Sequence, residues 1–358
     1  MVPLAPRSLC IDNSFHVNEQ FVLGEGGFGT VYRAKYNKDD TPTECAAKKV
    51  KRPDAIHSLE NEVKLLSIVQ GHPSIVKALH FVKFSHEAWA FFELATGGEL
   101  FDLLIDSGTL TERAVRHIAA NLFDALAYCL SKGIVHRDVK LENIMLVAED
   151  QNAMKLIDFG LAVRLPQNPD GSIKPVLLTD GIGSRSYKAP ELFHAAAGYH
   201  GPPVDAWAAG IVLFTLLSGF FPLDEARPPS VDKKEGDWRF TKLAQDRAKG
   251  IGACASVYAM YKRSCPFSEQ CQLLIDRLLE INPAQRLTVE EALKSPWLCD
   301  SPNDLRTVED GPDIVYRSSS DMTVLVEALN DTHSFDRVGS FTVPVGAPIL
   351  KRQHAAVT

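Results

Sequence analysis

The sequence of 358 residues has no CxxC pair, no excess of positive charge and only one long apolar run. Its seven cysteines are scattered, which indicates reduced, intracellular thiols and argues against a disulfide framework or a cysteine zinc site. The formal net charge of −7 argues against nucleic-acid binding, which normally needs a basic surface. A hydrophobic content of 45% is typical of a globular protein, and the length allows one large domain or two lobes.

The long apolar run extends over Ala206–Leu223, and its length alone would allow it to span a membrane. The alternative is a helix buried in a large core, which we favour because Gly219 and Pro222 end the run as they end a helix. Met1–Asp12 lacks the apolar core of a signal peptide. We therefore expect no membrane span.

Periodicity divides the chain into a β-rich part and a helical part. Residues 15–56 alternate apolar and polar side chains, with breaks at glycines, which predicts strands. Residues 55–69 and 111–132 have helical spacing, and Thr111 is in place to cap the second helix. Residues 88–94 form an apolar strand that a Thr-Gly-Gly hinge follows.

The two ends of the chain differ from the rest in composition. Residues 1–14 are predicted to be an N-terminal extension. Residues 299–358 are rich in Ser, Asp, Thr and Pro, which predicts a mostly flexible tail. Within it, the apolar stretch Met322–Leu329 could form a docking helix.

Two motifs supply the chemistry. His136–Asn143 reads HRDVKLEN, and Asp158-Phe159-Gly160 follows about twenty residues later. This pair resembles the catalytic and magnesium-binding loops of the eukaryotic protein kinase family. The resemblance implies that Asp138 accepts the proton of the substrate hydroxyl, that Lys140 neutralises the γ-phosphate, and that Asn143 and Asp158 hold Mg²⁺. The alternative is a set of polar residues on surface loops.

The preceding segment resembles the nucleotide-binding half of the same family. Gly24–Val31 fits GxGxxGxV, whose glycines let backbone N–H groups approach phosphate. The pattern alone would also fit a dinucleotide-binding turn, but here it lies between two predicted strands. Ala46 and Lys48 share one strand face, so Ala46 can lie on adenine while Lys48 reaches the phosphates.

Lys48 needs a carboxylate partner on the next helix, and the candidates are Glu60 and Glu62. Glu62 lies within the apolar stripe of that helix, where a charge is costly without a partner, and we choose it for that reason. The resemblance implies a larger ATP-binding set, namely Leu23, Gly24, Glu25, Gly26, Gly27, Phe28, Gly29, Val31, Ala46, Lys48, Glu93 and Ala95.

Several residues indicate the type of kinase. Lys140, two positions after Asp138, is typical of serine/threonine kinases, and Ser184 stands where they usually carry threonine. Glu99 and Glu142 match positions that bind an arginine three residues before the phosphorylated residue in relatives that prefer basic substrates. The overall pattern is similar to the calcium/calmodulin-dependent and AMP-activated branches.

Arg137 precedes the catalytic aspartate, which normally means control by a phosphate on the activation loop. The usual phosphorylated position, counted back from Ala189, falls on Asp180. One hypothesis is that Asp180 is a built-in charge for Arg137. The other is that an upstream kinase phosphorylates Thr179.

Three further residues match structural positions of the family. Glu191 follows Ala189 and Pro190 as in the APE segment, Arg286 resembles its buried partner, and Asp205 resembles the anchor beneath the catalytic loop.

The sequence thus predicts an α+β, bilobal protein kinase fold over residues 15–298, with a β-rich N-lobe to about residue 95 and a mainly helical C-lobe from about residue 96. The expected activity is transfer of the γ-phosphoryl group of ATP to serine or threonine of protein substrates. The cofactor would be Mg²⁺, which Mn²⁺ could replace. The alternatives are a pseudokinase that acts as a scaffold or allosteric binding module, and a kinase of small metabolites.

The expected partners are protein substrates and an upstream activating kinase, while the oligomeric state stays open. Lys48–Pro53 fits a nuclear localisation signal, but we favour the basic end of a strand because Lys48 has another role. The predicted location is cytoplasmic, with access to the nucleus left open.

Overall fold

The computed structural model of the protein describes residues 8–12, 14–26, 29–38, 41–148, 150–229, 236–299 and 314–316. Its N-terminal lobe is an antiparallel sheet of six strands with one helix, and its C-terminal lobe is mainly helical. This arrangement confirms the predicted bilobal α+β fold. The predicted docking helix over Met322–Leu329 lies outside the described residues.

The N-lobe strands are joined in the order β1-β2-β3-β4-β6-β5. Strands β1 to β4 pair consecutively, helix α1 follows β4, and β6 lies between β4 and β5. The elements are β1 (Ser8–Ile11), β2 (Phe15–Gly26), β3 (Gly29–Lys38), β4 (Thr41–Val50), α1 (Pro53–Ile68), β5 (Ala78–Lys83) and β6 (Ala88–Glu93).

Alternation along β4 separates a small core from the cleft between the lobes. Cys45 and Ala47 are buried against Phe15, Trp89 and Phe91 on one face. The neighbouring positions Ala46 and Lys48 therefore lie on the other face, because successive side chains of a strand point in opposite directions. The strand thus presents its functional residues to the cleft while its other face holds the sheet together.

The C-lobe contains eight helices and several short strands among the described residues. They are α2 (Leu100–Ser107), β7 (Gly108–Leu110), α3 (Glu112–Ser131), β8 (Ile134–Val135), β9 (Ile144–Val147), β10 (Asp150–Leu156), β11 (Val163–Arg164), α4 (Pro202–Ser218), α5 (Trp238–Arg247), α6 (Ala253–Met260), α7 (Glu269–Leu278), α8 (Val289–Ala292), α9 (Pro296–Cys299) and β12 (Ile314–Tyr316). Short 3₁₀ turns cover Leu141–Asn143, Phe159–Leu161, Arg185–Tyr187 and Pro190–Ala197.

Helices α3 and α4 form the centre of this lobe. Thr111 caps α3, since its side chain accepts a hydrogen bond from the backbone N–H of Ala114. Every residue of α4 from Val204 to Ser218 is buried, so the long apolar run is a core helix. No helix in the described part of the chain is long and apolar enough to cross a membrane.

A buried ion pair ties three parts of the C-lobe together. The Nη1 and Nη2 atoms of Arg286 donate to the two oxygens of Glu191 at 2.7 and 2.9 Å. Nη1 also donates to the carbonyl of Pro203 at 2.8 Å, and the guanidinium lies over the Trp207 ring. Removing one partner of such a pair leaves a buried charge without compensation, which is strongly destabilising.

One predicted boundary was wrong, and two short strands were not predicted. The strand pattern was extended to residue 56, but α1 begins at Pro53, whose fixed φ suits the first turn of a helix. Residues 8–11, within the predicted extension, form β1 and pair with β2. Residues 314–316, within the predicted flexible tail, form β12 and pair with β7. The strand β1 forms a hairpin with the adjacent β2, whereas β12 pairs with β7 about 200 residues earlier in the sequence, and local composition reveals neither pairing.

Candidate active site

A cleft of about 380 Å³ lies where the N-lobe sheet meets the C-lobe. Most of the predicted ATP-binding residues line it, namely Leu23, Gly24, Glu25, Gly26, Gly29, Val31, Ala46, Lys48, Glu93 and Ala95. Gly27 and Phe28, at the tip of the turn between β2 and β3, lie outside the described residues. Met145 and Ile157 line the same cleft from the C-lobe. Neither residue was predicted, although Met145 follows Asn143 by two positions and Ile157 directly precedes Asp158, which could have indicated them.

The glycine-rich turn comes close to β4. A Cβ added at Gly29 would lie 2.2 Å from the carbonyl oxygen of Lys49, so no other residue fits there without movement. At Gly24 and Gly26 an added Cβ would meet nothing within 4 Å. These two glycines therefore border the cleft with bare backbone, which suits contact with phosphate oxygens.

Lys48 links the N-lobe to the C-lobe. Its Nζ donates to Oε2 of Glu62 on α1 at 2.8 Å and to Oδ1 of Asp158 at 3.3 Å. Glu60 lies at the surface instead and pairs with Lys64 and Lys83. The structure thus brings together the lysine, the chosen helix carboxylate and the DFG aspartate.

Burial and neighbouring charges have opposite effects on the pKa values of Lys48, Glu62 and Asp158. Burial on its own would lower the pKa of Lys48, but the carboxylates of Glu62 and Asp158 outweigh it and raise the pKa above its ordinary value. Burial raises the pKa of Glu62 against the opposing charge of Lys48. For Asp158, burial also acts upwards, but Lys48 and further contacts lower its pKa overall. Lys48 is thus the cation that both carboxylates contact.

The catalytic-loop residues converge on Asp138. Its Oδ1 accepts hydrogen bonds from the Oγ of Ser184 at 2.8 Å and from the backbone N–H of Ser184 at 3.2 Å. The Nζ of Lys140 lies 2.8 Å from Asp138 Oδ2 and donates to Ser184 Oγ at 3.0 Å. The buried carboxylate is therefore held in one orientation by a cation and a hydroxyl.

Asn143 and Asp158 are the two predicted metal ligands, and both line the cleft. The Nδ2 of Asn143 donates to the backbone carbonyl of Asp138 at 2.8 Å and to its Oδ2 at 3.1 Å. With the amide nitrogen used in this way, the amide oxygen is the atom left for a cation. An amide oxygen and a carboxylate fit Mg²⁺, which usually takes one or two such ligands together with phosphate and water.

A buried carboxylate supports the loop from beneath. Asp205, in the first turn of α4, accepts the backbone N–H groups of His136 and Arg137, each at 2.7 Å. Arg137 has a φ of 65°, a left-handed conformation that costs energy for a residue other than glycine. Burial raises the pKa of Asp205, and the two N–H donors favour its charged form.

The predicted regulatory residues also meet. Arg137 Nη1 donates to both carboxylate oxygens of Asp180 at 2.8 Å. The hydroxyl of Tyr199 donates to the backbone carbonyl of Asp180 at 2.9 Å and lies 3.2 Å from its Oδ1. Thr179 is exposed. Sequence reasoning missed Tyr199, because nothing in its local pattern marks it as a partner of the activation loop.

Glu99 and Glu142, the predicted substrate-binding carboxylates, both line the cleft. Glu142 also accepts a hydrogen bond from the hydroxyl of Tyr187 at 3.3 Å, and the same hydroxyl accepts from the backbone N–H of Leu141. Tyr187 thus connects the catalytic loop to the segment before Glu191, a role that the sequence analysis did not foresee.

We expect Glu62→Gln to make Lys48 more reactive. Glu62 raises the pKa of Lys48, so its loss lowers that pKa, and each unit increases the unprotonated fraction at alkaline pH by about tenfold. The measurement is acylation of Lys48 at alkaline pH, followed by mass spectrometry. Glu60→Gln, on the same helix, is the matched control and should leave the rate unchanged. Equal rates in the wild type and Glu62→Gln would contradict the pairing.

The chain matches a known protein family and several kinases in sequence. The profile of the protein kinase domain family matches residues 17–298. CBL-interacting protein kinase 31 of Oryza sativa subsp. japonica is 31% identical over 281 residues, which cover 77% of this chain and 56% of that protein. CBL-interacting serine/threonine-protein kinase 9 of Arabidopsis thaliana is 32% identical over 284 residues, with the same two shares.

A protein from an organism other than a plant is similar to the same extent. Probable serine/threonine-protein kinase MARK-A of Dictyostelium discoideum is 31% identical over 280 residues, which cover 77% of this chain and 23% of that protein. The chain thus spans little more than half the length of the plant relatives. The family profile covers most of the chain, and the fold and the cleft agree with it, so the chain belongs to the protein kinase domain family.

Proposed function

We propose that this chain is a serine/threonine protein kinase, which transfers the γ-phosphoryl group of ATP to hydroxyls of protein substrates. The proposal rests on one observation: the residues expected to hold the nucleotide and the residues expected to act on the substrate hydroxyl lie at the same cleft. Lys48, Glu62 and Asp158 are in contact on the nucleotide side, and Asp138 and Lys140 are in contact on the side of the catalytic loop. Phosphoryl transfer needs little covalent chemistry from the protein, so this positioning is the main requirement.

Asp138 has the role of accepting the proton of the attacking hydroxyl. Its Oδ1 is held by Ser184 and its Oδ2 by Lys140, so the carboxylate keeps one orientation while the hydroxyl approaches. Lys140 also supplies positive charge beside the transferred group. A general base of this type contributes roughly 10²–10⁴ to the rate.

Lys48 has the role of holding the α- and β-phosphates, with Ala46 under the adenine. Glu62 keeps Lys48 charged and in position through the 2.8 Å contact. Asn143 and Asp158 would hold Mg²⁺, with Mn²⁺ as a substitute. When bound, the cation would neutralise and orient the phosphate oxygens.

The sequence left two alternative functions open, a pseudokinase and a kinase of small metabolites. A pseudokinase would be expected to lack part of the catalytic set, whereas Lys48, Asp138, Asn143 and Asp158 are all present and all border the cleft or its loop. A kinase of small metabolites would have no need for the segment around Glu191, which forms a peptide-docking platform in the family. Protein substrates are therefore the proposal.

The remaining expectations are proposals too. The kinase domain covers residues 15–298. Its partners are protein substrates and an upstream kinase. Its location is the cytoplasm, with nuclear access left open. The substrate preference that Glu99 and Glu142 support is an arginine three residues before the phosphorylated residue, because a guanidinium binds paired carboxylates well.

We further propose that Asp180 supplies the charge that phosphate supplies in other kinases. Its carboxylate already receives Arg137, whose Nε donates to the carbonyl of Leu161 at 2.8 Å. Arg137 thus joins the catalytic loop to the activation loop without a modified residue. A carboxylate has one charge where phosphate has up to two, so the substitution is partial.

Incubation with radiolabelled ATP, Mg²⁺ and a degenerate serine/threonine peptide library tests the activity. We expect incorporation by the wild type and a loss of at least about a hundredfold in Asp138→Asn, because the general base is removed. Asp106→Asn, an exposed carboxylate on α2, is the control and should keep the wild-type rate. No incorporation by the wild type, before and after treatment with activating kinases, would favour the scaffold function.

Single peptides test the arginine preference. Replacing the arginine three residues before the acceptor serine by alanine should lower kcat/KM by about tenfold, the loss expected for one charge-assisted contact. Glu99→Gln should reduce this difference and leave the rate on the alanine peptide unchanged. Equal rates on the two peptides with the wild type would refute the preference.

Substitutions in the activation loop separate the two regulatory hypotheses. Asp180→Asn should lower kcat several-fold, since Arg137 loses its charged partner, and Thr179→Ala should leave it unchanged. Asp170→Asn, in the same loop, is the control. An unchanged kcat in Asp180→Asn together with a loss in Thr179→Ala would show that phosphorylation of Thr179 is the switch.

A further inference from the structure

A second cleft of about 610 Å³ lies beside the catalytic loop, and its walls carry more positive than negative charge. Three cations border it against one carboxylate, in a chain whose formal net charge is −7. The residues that matter are Gly183, Arg185, Lys188, Phe193, Glu225 and Arg227. The cleft is therefore locally positive although the whole chain is negative, and none of the roles described above explains this difference.

The cleft begins directly next to the catalytic base. Ser184, which contacts Asp138, is flanked by Gly183 and Arg185, and both line the cleft. Gly183 has a φ of 114°, and a Cβ there would lie 3.1 Å from the carbonyl oxygen of Arg137. The wall of the cleft therefore lies against the catalytic loop itself.

Its charged groups are held in place by contacts within the protein. Glu225 is only 12% exposed and binds Arg185 Nε at 3.2 Å and Arg227 Nε at 3.0 Å. The backbone N–H of Glu225 donates to Asp237, which caps α5. Arg227 also lies over the ring of Phe193, 5.2 Å from its centroid. Glu225 thus aligns two guanidinium groups and offsets only one of their charges.

The cations remain accessible to a ligand. The Arg185 side chain is 65% exposed and that of Arg227 is 41% exposed. Lys188 completes the cluster and is held by the carbonyl of Gly181 at 2.7 Å. Guanidinium groups bind carboxylate and phosphate strongly and with defined geometry.

We propose that this cleft binds an anionic side chain, a carboxylate or a phosphate, of the peptide substrate close to the target hydroxyl. The proposal rests on the proposed kinase activity and adds a substrate class to it. An extended peptide advances about 3.3–3.6 Å per residue, so a side chain within a few positions of the hydroxyl at Asp138 reaches Arg185. Arg185 and Arg227 are then specificity-determining residues that take no part in the transfer.

The test uses a peptide with one acceptor serine, a constant arginine three residues before it and alanine elsewhere. Each neighbouring position in turn carries Asp, phosphoserine or Asn. With the wild-type full chain, one position should show a kcat/KM about tenfold higher for the anionic residue than for Asn, mainly through KM. Comparing kcat/KM for the Asp and phosphoserine peptides shows whether the cleft prefers a carboxylate or a phosphate.

Variants connect that preference to the cleft. Arg185→Gln and Arg227→Gln should bring the ratio of kcat/KM for the anionic peptide to that for the Asn peptide close to one. They should leave unchanged the rate on the parent peptide, which keeps the constant arginine and has alanine at the other positions. Arg185→Glu should favour a peptide with lysine at the same position. Arg263→Gln, an exposed arginine outside the cleft, is the matched control. A ratio near one at every position in the wild type, or a ratio retained in both glutamine variants, would overturn the proposal.

A binding measurement separates this proposal from the proposed activity. Fluorescence anisotropy with the labelled Asp peptide and its Asn counterpart needs no turnover. Tighter binding of the Asp peptide that is lost in Arg185→Gln supports the cleft even when no phosphate is transferred. Equal binding of both peptides contradicts it, whatever the catalytic result.

Discussion

The arrangement of the catalytic loop depends on one buried carboxylate. Asp205 accepts two backbone N–H groups of the loop at 2.7 Å, and it reaches them from the first turn of α4, the most buried helix of the described residues. These two hydrogen bonds hold the backbone at Arg137 in its left-handed conformation, which costs energy for a residue other than glycine. Because Asp138 follows directly, its orientation depends on the same support. A core helix thus fixes the position of Asp138, the proposed catalytic base.

From this loop, contacts extend in three directions. Arg137 reaches Asp180 in the activation loop, Lys140 reaches Ser184, and Asn143 holds the backbone of Asp138. On the other side of the cleft, Lys48 joins α1 to Asp158. The contact of Asn143 lies within the loop, whereas those of Arg137, Lys140 and Lys48 join segments that are separate in the sequence and so connect the two lobes and the activation loop. Electrostatic preorganisation of this kind is the main means by which enzymes promote phosphoryl transfer.

The sequence predicted those parts of the site that are short continuous motifs, namely the glycine-rich turn, the catalytic loop and the Asp158-Phe159-Gly160 segment. It also predicted the two lobes to which these motifs belong. It also favoured Glu62 over Glu60, because a charge in an apolar stripe needs a partner. What it could not predict depends on specific pairings of side chains and strands. Tyr199 beside Asp180, Glu225 between two arginines, and the pairing of β1 with β2 have no local pattern that marks them. These contacts follow from how the elements pack, which periodicity alone does not determine.

The central claim is that the site is assembled by the chain's own charges, with Asp180 in place of a phosphate. The most direct test is the initial rate of phosphoryl transfer to peptide by the full chain before and after complete removal of phosphate with a phosphatase, with intact mass confirming the removal. The account predicts the same rate within about twofold, because an unmodified Asp180 already binds Arg137. A fall of about tenfold or more, restored by rephosphorylation, would contradict it.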